Sequence, residues 1–140
     1  MSEYLRYPRD PHLLLRKKRS IRRGLLQKKD LQEKRIAILG GSTTAEIRDM
    51  LELFLLDGGI RPAFYESEYN RYFEDIMFPN ERLREFAPDA VYIHTSNVNI
   101  TRYPSVHDTR KTVDKLLTNE IERYKGIWNR VSEEYGCPVI

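Results

Sequence analysis

Four short apolar runs, each bounded by turn-forming residues and separated from the next by a helix-patterned stretch, constrain this chain more than any other feature. Arg35-Ile-Ala-Ile-Leu39 closes on Gly40-Gly41 and reads as a buried strand. Arg61-Pro-Ala-Phe-Tyr65 and Ala90-Val-Tyr-Ile-His94 follow, and Cys137-Pro-Val-Ile140 begins a fourth run. Between the first two, Thr43 and Glu46 have capping-box spacing. The helix they open is expected to face the core with Ile47, Met50, Leu51, Phe54 and Leu55, and to stop at Gly58-Gly59. Residues 69–76 are expected to be helical, and Asn80 caps a short helix to Phe86. Residues 106–135 form the longest predicted helix, ~45 Å at 1.5 Å per residue. Its core face would comprise Val113, Leu116, Leu117, Ile121, Tyr124, Ile127, Trp128, Val131 and Tyr135, with a kink near Gly126 and Gly136 as C-cap. Repeated β–α units with buried strands predict an α/β fold, a parallel sheet covered by helices on both faces. The sequence ends inside its fourth expected strand, so the chain is expected to be a fragment of something longer.

Charge divides the 140 residues in two. Residues 1–35 carry 12 Lys/Arg against 4 Asp/Glu, a balance of +8, and the remainder carries −5, giving the net +3. Residues 1–34 are therefore read as a basic helical arm and connector, and residues 35–140 as the α/β domain. In the arm, Asp10 is a good N-cap and Pro11 suits the first helical position. Leu14, Ile21 and Leu25 share one face, while Arg16, Lys17, Arg19 and Arg22 lie on the others. A basic amphipathic helix can bind anionic partners, but it can equally pack its leucine stripe on the body and leave its charges in water. No aromatic residue lies between Pro11 and Arg35 to stack on bases, which argues against nucleic acid. No apolar run approaches the ~18 residues of a membrane span, and the N-terminus lacks the apolar segment of a secretory signal. A single cysteine, Cys137, excludes a disulfide framework and a cysteine-based zinc cage. A cytoplasmic location is the resulting expectation, with no metal site.

In an open parallel sheet, ligands bind beyond the carboxyl ends of the strands. Two polar loops fall there: Gly40-Gly41-Ser42-Thr43-Thr44 after the first strand, and His94-Thr95-Ser96-Asn97-Val98-Asn99 after the third. Ser42 would sit at a helix N-terminus, where free amides favour negative charge, and Asn97 could donate its amide to an oxyanion. Gly40, Gly41, Thr43, His94 and Ser96 are the accompanying candidates for ligand binding. The first loop is neither a Walker loop nor a dinucleotide fingerprint, and it also reads as an ordinary turn and helix cap. His107-Asp108 is expected to start a helix, and Glu66 and Glu68 to be a solvated pair.

These blocks carry a resemblance. Ile36-Ala-Ile-Leu-Gly-Gly-Ser-Thr-Thr44, Leu51-Glu-Leu-Phe-Leu-Leu56, Phe64-Tyr-Glu-Ser-Glu-Tyr-Asn70 and Tyr92-Ile-His-Thr-Ser-Asn97 closely resemble, in the same order, the N-terminal region of FkbH-type proteins. That family belongs to subfamily IIIC of the haloacid-dehalogenase (HAD) superfamily. The resemblance implies an SGNH (GDSL-type) hydrolase-like, flavodoxin-like three-layer α/β/α domain, here incomplete at its C-terminus, followed in the parent by a HAD catalytic domain. It further implies transfer of a glyceryl-type group from a phosphorylated donor to an acyl carrier protein. The Asp-x-Asp-x-Thr motif of the HAD domain does not occur here, so its magnesium is expected only in that absent domain and no cofactor in this chain. The implied partners are that HAD domain and an acyl carrier protein, whose acidic surface would suit Arg16, Lys17, Arg19 and Arg22.

Set against SGNH enzymes, Ser42 matches the nucleophile and Asn97 the oxyanion asparagine. Thr95 stands where their third block has glycine, and Glu66-Ser-Glu-Tyr-Asn70 offers no counterpart to the second-block glycine. The general-base block would lie beyond Ile140, and without a base a serine hydroxyl is a poor nucleophile. The leading expectation is therefore a domain that helps to present a substrate. A serine esterase or acyltransferase using Ser42, or a purely structural domain, stands as the alternative.

Overall fold

A computed structural model describes residues 2–140 of the protein. The first helix, α1 (Pro11–Leu25), starts as its residues dictate: Asp10 accepts a hydrogen bond from the Leu13 amide at 3.1 Å and Pro11 takes the first position. Its stripe of Leu14, Ile21 and Leu25 is buried. The basic arm is thus docked on the domain, packed against Leu53 and Leu56 of α2 (Ala45–Asp57). Lys18 pairs with Asp49 and Arg22 with Glu52, each at 2.7 Å. Lys28 closes the junction by donating to the Asp57 carbonyl at 2.7 Å, a cation on the negative end of α2.

β1 spans Gln32–Gly40 and so begins inside the stretch expected to be connector. Its first residues are exposed and polar, which hides them from a hydrophobic reading, yet Gln32 and Glu33 pair with Ile60 and Arg61 of β2 (Ile60–Glu66). β3 (Ala90–His94) lies on the other side of β1, giving a parallel sheet of order β2-β1-β3. Val139 bridges Val91 in parallel, and Ile140 exchanges backbone bonds with Val91 and Ile93, so the fourth run occupies the position beside β3.

Alternation along the strands divides the core between two faces. Ala37, Leu39 and Val91 pack with Tyr72, Ile76, Leu83, Ile127 and Val131 under α3 (Glu74–Met77), α4 (Glu81–Phe86) and α5 (Arg110–Tyr135). α1 and α2 form the layer on the opposite side. The α/β prediction and the three layers are thus present.

Several local expectations differ. The N-cap of α2 is Thr44, with no side-chain capping bond, so the box from Thr43 to Glu46 does not form. Buried Thr44 instead turns its hydroxyl to Glu66 Oε2 at 2.9 Å. α2 buries Leu53 and Leu56 and leaves Phe54 40% exposed, because docking of α1 selects a different stripe. Helix in residues 69–76 is confined to Glu74–Met77, since Asn70 adopts φ 58° and turns the chain. Asn80 caps α4 through the Leu83 amide as predicted. α5 starts after Thr109, whose hydroxyl accepts from the Thr112 amide, and Asp108 instead closes a turn on the Ser105 amide. The helix runs unbroken through Gly126 to Gly136, which ends it at φ 59°. Of its expected core face only Ile127 and Val131 are buried; Val113, Leu117, Ile121 and Trp128 are exposed.

Candidate functional site

The two polar loops meet at the carboxyl ends of β1 and β3, where the Gly41 amide donates to the His94 carbonyl at 2.8 Å. Gly40 donates to Ser67 Oγ at 2.9 Å, which ties in the loop after β2. Both glycines are required by close approach. A β-carbon on Gly40 would come within 2.5 Å of the Thr44 methyl, and one on Gly41 within 2.4 Å of Asn99 Nδ2.

Asn99 is the residue that holds the edge together, and sequence reasoning passed over it. Its Nδ2 donates to the Gly41 carbonyl at 2.9 Å and to Asn70 Oδ1 at 3.1 Å, while Oδ1 accepts from the Ser96 amide at 2.9 Å. The Ser96-x-x-Asn99 spacing, a capping box on the short turn Asn97–Asn99, was the available signal. Asn97 stands exposed on that turn, and its carbonyl accepts from the Tyr103 hydroxyl. Its side-chain amide makes no hydrogen bond among the described residues. Ser42 is half-buried between Gly41 and exposed Thr43, and its hydroxyl likewise has no intramolecular partner among the described residues. His94, half-buried, stacks on Tyr92 with centroids 6.2 Å apart. Ser96 is exposed beside it.

With the Thr44 hydroxyl engaged elsewhere, no side chain caps the first turn of α2. Glu66, which receives that hydroxyl, is paired with Arg48 at 2.5 Å, whereas Glu68 is exposed near Arg71. Glu68 is thus solvated as expected, whereas Glu66 is not. Behind the second loop, Arg123 donates to the Asn99 carbonyl at 3.0 Å and the Tyr72 hydroxyl at 2.7 Å, with the rings of Tyr72, Phe73 and Tyr124 within 5.6 Å. Burial works against its charge, but Glu120 and Tyr72 together hold the Arg123 guanidinium firmly protonated. Arg123 holds Glu120 below the usual carboxylate range.

The four basic candidates on α1 are placed differently from one another. Arg22 is paired to Glu52, and Lys17 lies 5.0 Å from the Tyr4 ring centroid. Arg16 and Arg19 are exposed and form no ion pair among the described residues. Arg19 borders a cleft of about 460 Å³ between α1, α2 and β2, with Lys18, Arg22 and Arg48 opposite Asp49 and Glu66. A larger hollow of about 530 Å³, bordered by Arg35, Asp89, Tyr135 and Cys137, lies where Asp89 leads into β3 and so at the opposite end of the sheet from the polar loops. No group of three His, Cys, Asp or Glu side chains converges to hold a metal among the described residues. No helix among them is long and apolar enough to cross a membrane.

No family model matches this chain, and no curated protein matches it. Among solved structures, its fold is similar to the crystal structure of the N-terminal part of the protein BF1531 from Bacteroides fragilis, described as containing a phosphatase domain complexed with Mg. The TM-score is 0.64 at 19% identity, over 81% of this chain. The chain spans 30% of the length of that structure.

Proposed function

We propose that this chain is an SGNH-like, flavodoxin-like domain of an FkbH-like protein. In that role it binds a small anionic or carrier-bound group and assists transfer of a glyceryl-type unit by a phosphatase domain. The observation that carries the reading is the joined edge. The Gly41–Asn99 tie fixes two loops together while the Ser42 hydroxyl and the Asn97 amide remain without intramolecular partners among the described residues. Uncapped amides of the first α2 turn add a favourable field for a negative group. The fold shared with a phosphatase-containing protein supports the same reading.

Ester hydrolysis would need a base hydrogen-bonded to Ser42, which the resemblance sets beyond Ile140, so binding is the role proposed for the residues present. Ser42, Thr43 and Asn97 would orient the bound group. Magnesium chemistry belongs to the phosphatase part of such a protein. Arg16 and Arg19, exposed on α1, would meet an acidic carrier protein. A pull-down of acyl carrier protein tests this: loss of capture on replacing Arg16, Lys17, Arg19 and Arg22 with Ala is expected, and unchanged capture removes the arm from carrier binding.

A further inference from the structure

An exposed apolar stripe runs along α5. Val113, Leu117, Ile121 and Trp128 recur at intervals of four, four and seven residues, which places them along one side of the helix, with Tyr124, half-buried against the core, among them. Val113, Leu117, Ile121 and Trp128 are 37%, 60%, 45% and 48% exposed, while Ile127 and Val131 anchor the adjacent side in the core. Single exposed apolar residues are commonplace, but a continuous stripe of this kind marks an interaction surface.

Charges beside the stripe identify its occupant. Asp114 and Lys125, both exposed, are eleven residues apart, close to three turns at 3.6 residues per turn, and so lie on the same flank. When two identical helices pack antiparallel about a two-fold axis, each flank meets its own counterpart. An axis passing between Asn119 and Glu120 sets Asp114 of one copy opposite Lys125 of the other, twice. The same register brings Leu117 beside Ile121 and Val113 beside Tyr124. Lys125 contacts Glu122 in the isolated chain, an exposed pair that is readily exchanged. We propose that α5 pairs antiparallel with α5 of a second copy, with the Asp114–Lys125 contacts fixing the register.

The test is the mass in solution, by sedimentation across a concentration series, with circular dichroism melts to confirm that each variant is folded. Wild type is expected at twice 16.7 kDa. Asp114→Lys and Lys125→Asp should each weaken the dimer at least tenfold by setting like charges face to face, and the double exchange should restore it. Leu117→Lys should give a folded monomer whose melt no longer depends on protein concentration, since that side chain is outside the core. A monomeric wild type overturns the proposal, and so does a dimer indifferent to Leu117→Lys or to the single charge reversals.

Discussion

The Asn99 side-chain amide packs directly on Gly41, donating to its carbonyl at 2.9 Å in space that a β-carbon would fill. This contact joins the loop after β1 to the loop after β3. Gly41→Ala would expel Asn99 and leave several polar groups without their partners, at a cost of about 1–3 kcal/mol. Asn99→Ala should cost a similar amount, and the double substitution should not cost the sum. Chemical denaturation of the three variants measures this directly.

Ser42→Ala behaves oppositely. With no intramolecular bond to lose, it should change stability by less than about 0.5 kcal/mol. A short p-nitrophenyl ester should not be hydrolysed by either protein. Hydrolysis by wild type that vanishes in Ser42→Ala would establish the esterase alternative.

Docking of the arm gives a third expectation. Leu14 and Ile21 are each 6% exposed, and truncating Leu14 to Ala should cost about 2–5 kcal/mol. Arg16→Ala and Arg19→Ala, on the solvent side, should stay within about 0.5 kcal/mol. Thermal melts of the three variants separate an arm that is part of the fold from one that is merely tethered to it.

Asp75 links pH to stability. It is 6% exposed; burial raises its carboxyl above the ordinary range, although the Tyr65 hydroxyl donates to it and Arg71 is nearby. A raised folded value means that its contribution is full below the unfolded value, about pH 4, and is lost as pH rises through the folded one. Asp75→Asn should therefore raise the melting temperature near neutrality and have little effect in acid. The other direction is set by Asp49, held low by Lys18 and Arg48 against burial. Burial opposes ionisation of Asp57, yet the Ser2 amide and Lys28 hold it low as well. The stability that these two provide is present above the unfolded carboxylate values and is lost as pH falls through the folded ones.

The sequence revealed elements wherever one residue type had a single physical use. Asp10-Pro11, Asn80 and Gly136 marked helix ends by capping chemistry alone, and the run from Ala90 to His94 could be buried only as a strand. It was silent where a side chain is claimed from a distance. Thr44 caps nothing locally because Glu66, 22 residues away, takes its hydroxyl, and Asn99 works through Gly41, 58 residues away. The α5 stripe shows the reverse: a regular apolar pattern predicts core throughout, whereas the fold buries only Ile127 and Val131.

The central claim is that the joined edge binds a small anionic group, and amide NMR shifts during titration with a glyceryl phosphate test it most directly. Saturable shifts at Ser42, Thr43, Ser96 and Asn97, weakened about tenfold by Ser42→Ala through loss of one charge-assisted hydrogen bond, are the predicted result. No shift at these amides, or shifts confined to Arg16 and Arg19 on α1, would contradict it.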